Sequence, residues 1–202
     1  MRADIDNWVP LTLSEIYDVF SEMPIKWFIA GGWAIDLHLE KKSREHNDID
    51  VSINRKDQLI VQQFLKKNWL LYKAEKGKLI PWADDEFLNS TIDVWVCKNI
   101  DSPWAFQIML FDTEESNWVY RRENSITRAM VELFLMTTEG IPYLKPEVQL
   151  LYKAGSSKVR GKDVNDFQTI LPILTAKEKE WLKESLKKQF PEGHPWIKYL
   201  NH

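Results

Sequence analysis

The fold of this chain is decided by two stretches, FIAGGWAID at residues 28–36 and REHNDID at residues 44–50. An apolar run over 25–30 stops abruptly at Gly31-Gly32, which predicts a short buried strand, a turn and then a helix over 33–39. Residues 48–53 alternate polar and apolar side chains, which predicts a half-buried strand with Asp48 and Asp50 on its polar face. A strand, a diglycine turn and a second, acidic strand therefore form the centre of the predicted fold.

These two stretches carry the residue types that nucleotide chemistry needs. Side chains at positions i and i+2 of a strand share one face, so Asp48 and Asp50 are expected to project together. Neighbouring carboxylates repel unless a cation lies between them, and hard oxygen ligands suit Mg²⁺. A diglycine at a strand-to-helix turn lets phosphate oxygens approach the backbone at a helix N-terminus. Either motif alone is usually structural, but the cations at positions 41, 42 and 44 between them favour a phosphate site.

The remaining pattern extends this centre into an α+β fold. A capping box at Thr12 and Glu15 predicts a first helix that ends near Pro24, and another helix is predicted over 56–67. Strands are predicted at 70–73, 92–97, 105–111 and 118–121, arranged as antiparallel hairpins. From about residue 126 the pattern favours helices, at 146–155, at 162–174, and from a capping box at residues 175 and 178 to Pro191. The prediction is a mixed-sheet core over 1–125 with a helical C-terminal lobe over 126–202.

Composition restricts the class of protein and its surroundings. The chain has 202 residues, 44% of them hydrophobic, which fits one domain or a two-lobed unit. The formal net charge of −3 disfavours a nucleic-acid partner. The single cysteine, Cys97, cannot form an intramolecular disulfide, and neither a signal peptide nor a membrane span is expected from the sequence. We expect a cytoplasmic protein that is a monomer or a homodimer and contacts no membrane.

The two stretches resemble the signature of the DNA polymerase β-type nucleotidyltransferase superfamily, and within it the aminoglycoside 2″-adenylyltransferase and lincosamide nucleotidyltransferase group. Looser similarity continues through WVYRR at 118–122, YLKPE at 143–147, LLYKA at 150–154, and the pairs at 162–163 and 166–167. The resemblance covers roughly residues 15–175 of the chain. It implies a mixed sheet with helices behind it and a helical lobe that helps to form the acceptor cleft.

This resemblance also implies an activity and a set of site residues. The reaction is the Mg²⁺-dependent transfer of a nucleoside monophosphate from a nucleoside triphosphate, expected to be ATP, to a hydroxyl of a small acceptor such as an aminoglycoside-like antibiotic. Asp48 and Asp50 match the metal ligands and are expected to be catalytic. The nucleotide-binding matches are Gly31, Gly32, Arg44 and Lys153. His46, Lys162 and Asp163 also occupy matching positions, where a functional and a structural role are both open.

The third carboxylate of such sites is where this sequence departs from the pattern. The matching position on the 105–111 strand is Gln107, an amide that cannot act as a general base. Asp93 lies on the preceding strand, and a hairpin centred near Ile100 sets it opposite Gln107, where it could replace the missing carboxylate as a catalytic residue. The alternatives are a catalytically impaired nucleotide-binding or interaction protein on the same fold, and an α/β protein whose acidic strand is structural.

A second acidic stretch offers a possible acceptor wall. Asp84, Asp85 and Glu86 follow Trp82 in a predicted loop, where they could face a cationic acceptor. The other interpretation is an ordinary solvated loop.

Overall fold

The structure is a computed structural model that describes residues 2–155 and 159–201. Within those ranges the helices are α1 Leu13–Ser21, α2 Gly31–Leu39, α3 Gln58–Leu65, α4 Pro146–Ala154, α5 Gly161–Ile170 and α6 Ala176–Gln189. The strands are β1 Trp27–Ala30, β2 Asp50–Asn54, β3 Leu70–Glu75, β4 Lys78–Pro81, β5 Asp93–Cys97, β6 Trp104–Glu114, β7 Asn117–Val119, β8 Thr127–Ala129, β9 Phe134–Met136 and β10 Pro142–Leu144. None of the helices in the described ranges has the length and apolar character needed to cross a membrane.

The strands form one mixed sheet with the order β4-β3-β5-β6-β2-β1-β10-β9, and β7 and β8 extend it from β6. The pairs β1–β2, β3–β5 and β5–β6 are antiparallel, whereas β2–β6 and β1–β10 are parallel. The α+β fold class predicted from the sequence, with a mixed sheet, is therefore confirmed. The antiparallel hairpins predicted for the middle region are also confirmed, by the pairs β3–β4, β5–β6 and β6–β7. The parallel pair β2–β6 joins this region to β2.

The core explains why β2 presents its acidic side outward. Val51 and Ile53 are fully buried on one side of the strand, while Asp50 is part-exposed on the other. The buried side packs with Ile16 and Phe20 of α1, and the Phe20 ring meets Phe106 of β6 edge to face at 5.8 Å. On the acidic side, α2, α4, α5 and α6 pack against one another at the end of β1 and β2. The hydrophobic alternation of β2 therefore places its carboxylate in the cleft between sheet and helices.

Local sequence signals located most helices correctly. The capping boxes at Thr12 and at Thr175 both form, and Pro146 is the first residue of α4. The strand predicted to start at 48 begins instead at Asp50. Its partner strand β1 ends opposite Asp50 at Ala30, where the chain turns into α2, so Asp48 has no strand to pair with.

The change to helices comes later than predicted. Helices were expected from about residue 126, but β8, β9 and β10 lie between 127 and 144, and the helical part begins with α4. Pairing decides this region, because β10 fills the free edge of β1 and β9 then pairs with β10. The division of the chain at residues 125 and 126 stays a prediction.

The N-terminal segment, which we define as residues 2–11, lies along the sheet. The Asn7 carbonyl accepts from the Trp104 N–H at 2.8 Å, and the Leu11 N–H donates to the Ala105 carbonyl at 2.9 Å. Two residues further along β6, the Gln107 N–H donates to the Ile49 carbonyl at the start of β2. The segment therefore covers the part of β6 that β2 does not reach, beside the acidic end of β2.

Candidate active site

Gly31 joins β1 to α2 at the point of closest approach to β2. Its φ is +68°, and a Cβ atom there would lie 2.0 Å from Oδ2 of Asp50. The Gly31 N–H donates to Oε1 of Gln149 on α4 at 2.8 Å. A Cβ on Gly32 would likewise lie within 2.5 Å of the Arg44 guanidinium. The helix starts at Gly31 itself rather than at residue 33, so both glycines form the first turn of α2.

Replacing Gly31 by alanine tests this close approach. We expect the variant to lose about 2 to 5 kcal/mol of unfolding free energy, from the positive φ and from the clash with Asp50. Gly77 is the matched control, because its φ is +74° and a Cβ there would meet no heavy atom within 4 Å. Gly77→Ala should lose only the conformational part, about 1 to 2 kcal/mol, in the same urea titration. Equal losses in the two variants would contradict the close approach.

Three carboxylates line one cavity of about 420 Å³ together with Gly31 and Gly32. They are Asp48, Asp50 and Asp93, and Gln107 lies between the last two. Asp50 pairs with Gln107 across β2 and β6. The Gln107 side-chain amide donates to Oδ1 of Asp93 at 2.9 Å. The structure thus places the acidic residues predicted from the sequence in one cavity.

The predicted register of the β5–β6 hairpin was wrong by two residues. Asp93 pairs with Met109, and Trp95 is the residue opposite Gln107. A register shift at Val96 and Cys97 accounts for part of the difference, because the hairpin was assumed to be regular. The face of the sheet on which Asp93 lies was still predicted correctly, because residues 93 and 95 are two positions apart on β5 and project from the same side.

Burial raises the pKa of two of these carboxylates, Asp50 and Asp93. Burial, together with the charges of Asp48 and Asp93, raises the pKa of Asp50 to about 7, although Lys153 and Lys162 oppose the shift. Burial also raises the pKa of Asp93, while the hydrogen bond from Gln107 opposes that effect. A site that makes ionisation this costly favours a bound cation.

The donor set fits Mg²⁺ held jointly by protein and substrate. Within residues 2–155 and 159–201, no group of three or more His, Cys, Asp or Glu side chains could hold a metal ion. Mg²⁺ commonly takes one or two carboxylates and completes its shell with water and substrate phosphates. Asp48 and Asp50 could supply such a pair.

Five cationic side chains line the same cavity as the carboxylates: Arg44, Arg122, Lys153, Arg160 and Lys162. Arg44 lies in the connector between α2 and β2, and Arg122 follows β7. Lys153 lies on α4, Arg160 directly precedes α5, and Lys162 lies on α5. Cations and carboxylates side by side suit a phosphate-bearing ligand that brings a divalent cation with it. Arg44 and Lys153 were predicted to bind nucleotide, and both lie here.

Two buried aspartates of α5 hold these cations in place. Arg44 donates to both carboxylate oxygens of Asp166, at 3.1 and 3.2 Å, and Lys153 Nζ lies 2.6 Å from Asp166 Oδ2. Asp163 is fully buried and bonds to Arg160 at 2.7 Å. Burial would raise the pKa of each aspartate, but their hydrogen bonds and cationic neighbours outweigh it, and both values are lowered. Asp163 therefore does not line the cavity itself, and it contacts cations that do.

The Asp166→Asn variant should destabilise the fold by about 3 kcal/mol or more. It leaves Arg44 without its carboxylate and leaves Lys153 only the longer contact with Asp163 at 3.5 Å. Breaking a buried ion pair from one side typically costs about 3–5 kcal/mol. Glu184→Gln is the control, because its pair with Lys187 is half-exposed on both sides and should contribute little to stability. Chemical denaturation measures both, and similar losses would contradict the role given to Asp166.

His46 has a structural contact behind the glycines. Its Nε2 lies 2.6 Å from Oδ2 of Asp36 on α2, and the His46 side chain is 1% exposed. The Ser43 hydroxyl donates to the other oxygen of Asp36, and the His46 ring packs on Trp33 at 4.8 Å. These contacts fix the connector between α2 and β2, and so place Arg44 and Asp48.

The acidic 84–86 loop is not part of this cavity. Asp84 pairs with Lys66, Glu86 pairs with Lys73, and Gln63 donates to Asp85. The structure favours the second interpretation, an ordinary solvated loop, because neighbouring lysines pair with two of its carboxylates and none of the three lines the cavity.

Sequence reasoning missed four polar lining residues, which are Arg122, Gln149, Tyr152 and Arg160. Gln149 lies four residues before Lys153 on α4, one helical turn away, so the spacing could have indicated it. Arg160 precedes α5 as its N-cap and carries no comparable signal.

Solved structures with this fold include two antibiotic adenylyltransferases. The lincosamide antibiotic adenylyltransferase LnuA bound to lincomycin is 19% identical, covers 83% of this chain and 99% of its own, and has a TM-score of 0.56. The structure of ANT(2″)-Ia in complex with adenylyl-2″-tobramycin is 12% identical, covers 86% of this chain and 95% of its own, and has a TM-score of 0.56.

Sequence comparison gives a shorter match and a longer one. A lincosamide resistance protein of Staphylococcus haemolyticus is 35% identical over 49 residues, which is 24% of this chain and 30% of that protein. The family model for aminoglycoside-2″-adenylyltransferase matches residues 12–170, which contain every carboxylate and cation that lines the cavity. The chain therefore belongs to the aminoglycoside-2″-adenylyltransferase family, which confirms the nucleotidyltransferase group and the enzyme class predicted from its sequence.

Proposed function

We propose that the protein is a Mg²⁺-dependent nucleotidyltransferase that moves a nucleoside monophosphate, with ATP as donor, to a hydroxyl of a small amine-bearing antibiotic. The observation that carries this proposal is one cavity lined by three carboxylates, a diglycine helix start and five cations. Family membership supports adenylyl transfer, and antibiotics are the ligands named for its structural neighbours.

The triphosphate binds to the cationic side of the cavity. Arg44, Lys153 and Arg160 are already oriented by the two aspartates of α5, so they lose little freedom on binding phosphate. Lys162 is exposed at the start of α5 and adds a further charge. The Gly31 N–H is bonded to Gln149, so the N–H groups of the next residues in the first turn of α2 would meet the same phosphates.

Asp48 and Asp50 would hold Mg²⁺, which supplies charge neutralisation of the triphosphate when it is bound. Asp93 accepts the proton of the acceptor hydroxyl, and Gln107 orients it through the 2.9 Å hydrogen bond. The hydroxyl oxygen bonds to the α-phosphorus, the bond from that phosphorus to the bridging oxygen breaks, and pyrophosphate leaves with the electron pair. A pKa raised by burial makes Asp93 a stronger base than a solvated aspartate.

A second cavity of about 320 Å³ is the proposed site of the nucleoside. It shares Met109, Arg122, Gln149 and Tyr152 with the acidic cavity and continues beneath α4 along Ser52 of β2. Apolar walls with a few polar groups suit a base and its ribose.

Pyrophosphate release tests the proposal. Purified protein is incubated with ATP, GTP or CTP and Mg²⁺, with a panel of acceptors that includes tobramycin and lincomycin. Release that needs Mg²⁺, one triphosphate and one antibiotic, with an adenylylated product found by mass spectrometry, supports it. If none of the acceptors on the panel leads to pyrophosphate release, while ATP still binds in the presence of Mg²⁺, the result favours the catalytically impaired nucleotide-binding protein instead.

We also propose that the protein acts in the cytoplasm as a monomer or homodimer. The single cysteine, buried at position 97, supports a reducing compartment. Light scattering at assay concentration measures the oligomeric state.

A further inference from the structure

Two tryptophans form a ledge beside the acidic cavity. Trp8 of the N-terminal segment packs on Trp95 of β5, with ring centroids 4.7 Å apart, and both side chains are partly exposed. Trp95 in turn meets the fully buried Trp104 edge to face at 5.3 Å. The Trp8 indole N–H donates to the Ile5 carbonyl at 2.9 Å, which fixes the ring's orientation. The ledge is therefore held from both sides.

The position of the ledge connects it to the chemistry. Trp95 lies directly opposite Gln107, the residue that bonds to Asp93. Trp8 and Trp95 line a cavity of about 660 Å³ whose wall also includes Asp48. Asp48 lines the acidic cavity as well, so the two cavities meet at this carboxylate. A molecule on the ledge would lie next to Asp93, on a different side of the site from the nucleoside cavity beneath α4.

The charge of this cavity selects a class of occupant. Asp6 is exposed at its rim, and Lys162 faces it from α5. If Mg²⁺ is bound, the charge of Asp48 is committed to the metal, which leaves Asp6 as the free carboxylate. Indole faces attract ammonium groups and cover the apolar faces of saturated rings, and a carboxylate pairs with an ammonium group. A ring compound with hydroxyl and ammonium groups matches all three features.

We propose that the ledge of Trp8 and Trp95 binds the acceptor, and that Trp8 and Asp6 of the N-terminal segment determine acceptor specificity. This inference rests on the proposed function, since it names the acceptor side of the same site. Its structural basis is that residues 2–11 occupy the part of β6 next to the acidic end of β2, where an incoming hydroxyl must pass to reach Asp93.

The test is direct binding, measured by calorimetry with tobramycin and with lincomycin, separately from ATP binding in the presence of Mg²⁺. Trp8→Ala should weaken antibiotic binding at least about tenfold and leave the ATP dissociation constant within about twofold. Trp8→Phe, which keeps an aromatic face, should retain most of the affinity. Asp6→Asn should weaken binding several-fold at low salt and less at high salt, because the pair is exposed. Asp101→Asn, an exposed aspartate of the β5–β6 turn, is the charge control and should change nothing.

The outcomes separate this inference from the proposed function. Unchanged antibiotic affinity in folded Trp8→Ala and in Asp6→Asn overturns the ledge as acceptor site, while pyrophosphate release by the wild type leaves the function standing. If Trp8→Ala does not fold, Trp8→Phe and Asp6→Asn decide, and affinity equal to wild type in both overturns the inference. If the wild type binds neither antibiotic and releases no pyrophosphate, the function and the ledge inference both fail.

Discussion

Asp50→Asn is expected to abolish the Mg²⁺-dependent part of ATP binding and, with it, all measurable adenylyl transfer. The amide keeps the size of the side chain but removes a negative charge from the pair with Asp48, so the two positions no longer hold a divalent cation. Thermal shift with ATP, with and without Mg²⁺, measures the binding part. An Mg²⁺-dependent shift equal to that of the wild type would contradict the metal assignment.

The same variant should make the metal-free protein more stable at neutral and alkaline pH. The folded-state pKa of Asp50 is raised from 3.8 to about 7, so folding favours its protonated form. In chelator, the wild type therefore loses stability as pH rises from about 4 to 7, and the loss is complete above pH 7. Burial is the main cause of this raised pKa, the charges of Asp48 and Asp93 add to it, and Lys153 and Lys162 oppose it. Without metal, the unfolding free energy of Asp50→Asn should exceed that of the wild type by about one to a few kcal/mol at pH 8, and this difference should shrink towards pH 4.

A matched exposed variant keeps this pH prediction specific. Asp18 lies on the exposed side of α1, away from the site, and Asp18→Asn should follow the wild-type stability curve. If the difference in unfolding free energy between Asp50→Asn and the wild type is the same at every pH, then ionisation of Asp50 does not destabilise the folded protein.

Asp93→Asn is expected to lower turnover by about 10²- to 10⁴-fold, the usual contribution of a positioned base. An asparagine oxygen can still accept the Gln107 hydrogen bond, so the local structure and the ATP affinity should stay close to wild type. Single-turnover rates and calorimetric ATP binding on the same preparation separate chemistry from binding. A rate within tenfold of wild type would remove Asp93 from the mechanism.

Gln107 provides the companion experiment. If it orients Asp93, Gln107→Ala should reduce turnover less than Asp93→Asn does, and combining the two should add little. If the wild type is inactive with every acceptor while Gln107→Glu or Gln107→Asp gains pyrophosphate release, position 107 itself is the disabled catalytic site.

Local signals determined what the sequence could predict of the fold. Capping boxes, the Pro146 helix start and the alternation around Asp50 depend on near neighbours, and each is present in the structure. The strands at 134–136 and 142–144 depend on a partner far away in the chain, since β10 forms against β1. Three-residue strands of this kind have too few side chains for a periodicity to show, so their helical prediction failed.

The same distinction between local signals and long-range packing applies to the residues of the candidate site. Gly31, Asp48 and Asp50 stand in compact motifs, and the sequence indicated them directly. Arg160 enters the cavity through the packing of α5 on α2 and α4, which no spacing in the sequence encodes. Gln149 is different, because it lies one helical turn from Lys153 on α4. The hairpin register at Asp93 depended on a shift at Val96 and Cys97, which cannot be read from the residues there.

The parallel pairing of β10 with β1 has a consequence for biosynthesis. Residues 142–144 emerge from the ribosome long after residues 27–30, so β1 keeps an open edge until most of the chain has been made. Open strand edges template aggregation, and contacts this distant in sequence slow folding. A fragment that stops at residue 125 should therefore aggregate in pulse-labelled expression, whereas one that reaches residue 145 can close this side of the sheet. Nascent chains of this protein should therefore depend most on chaperones while their length lies between those two values.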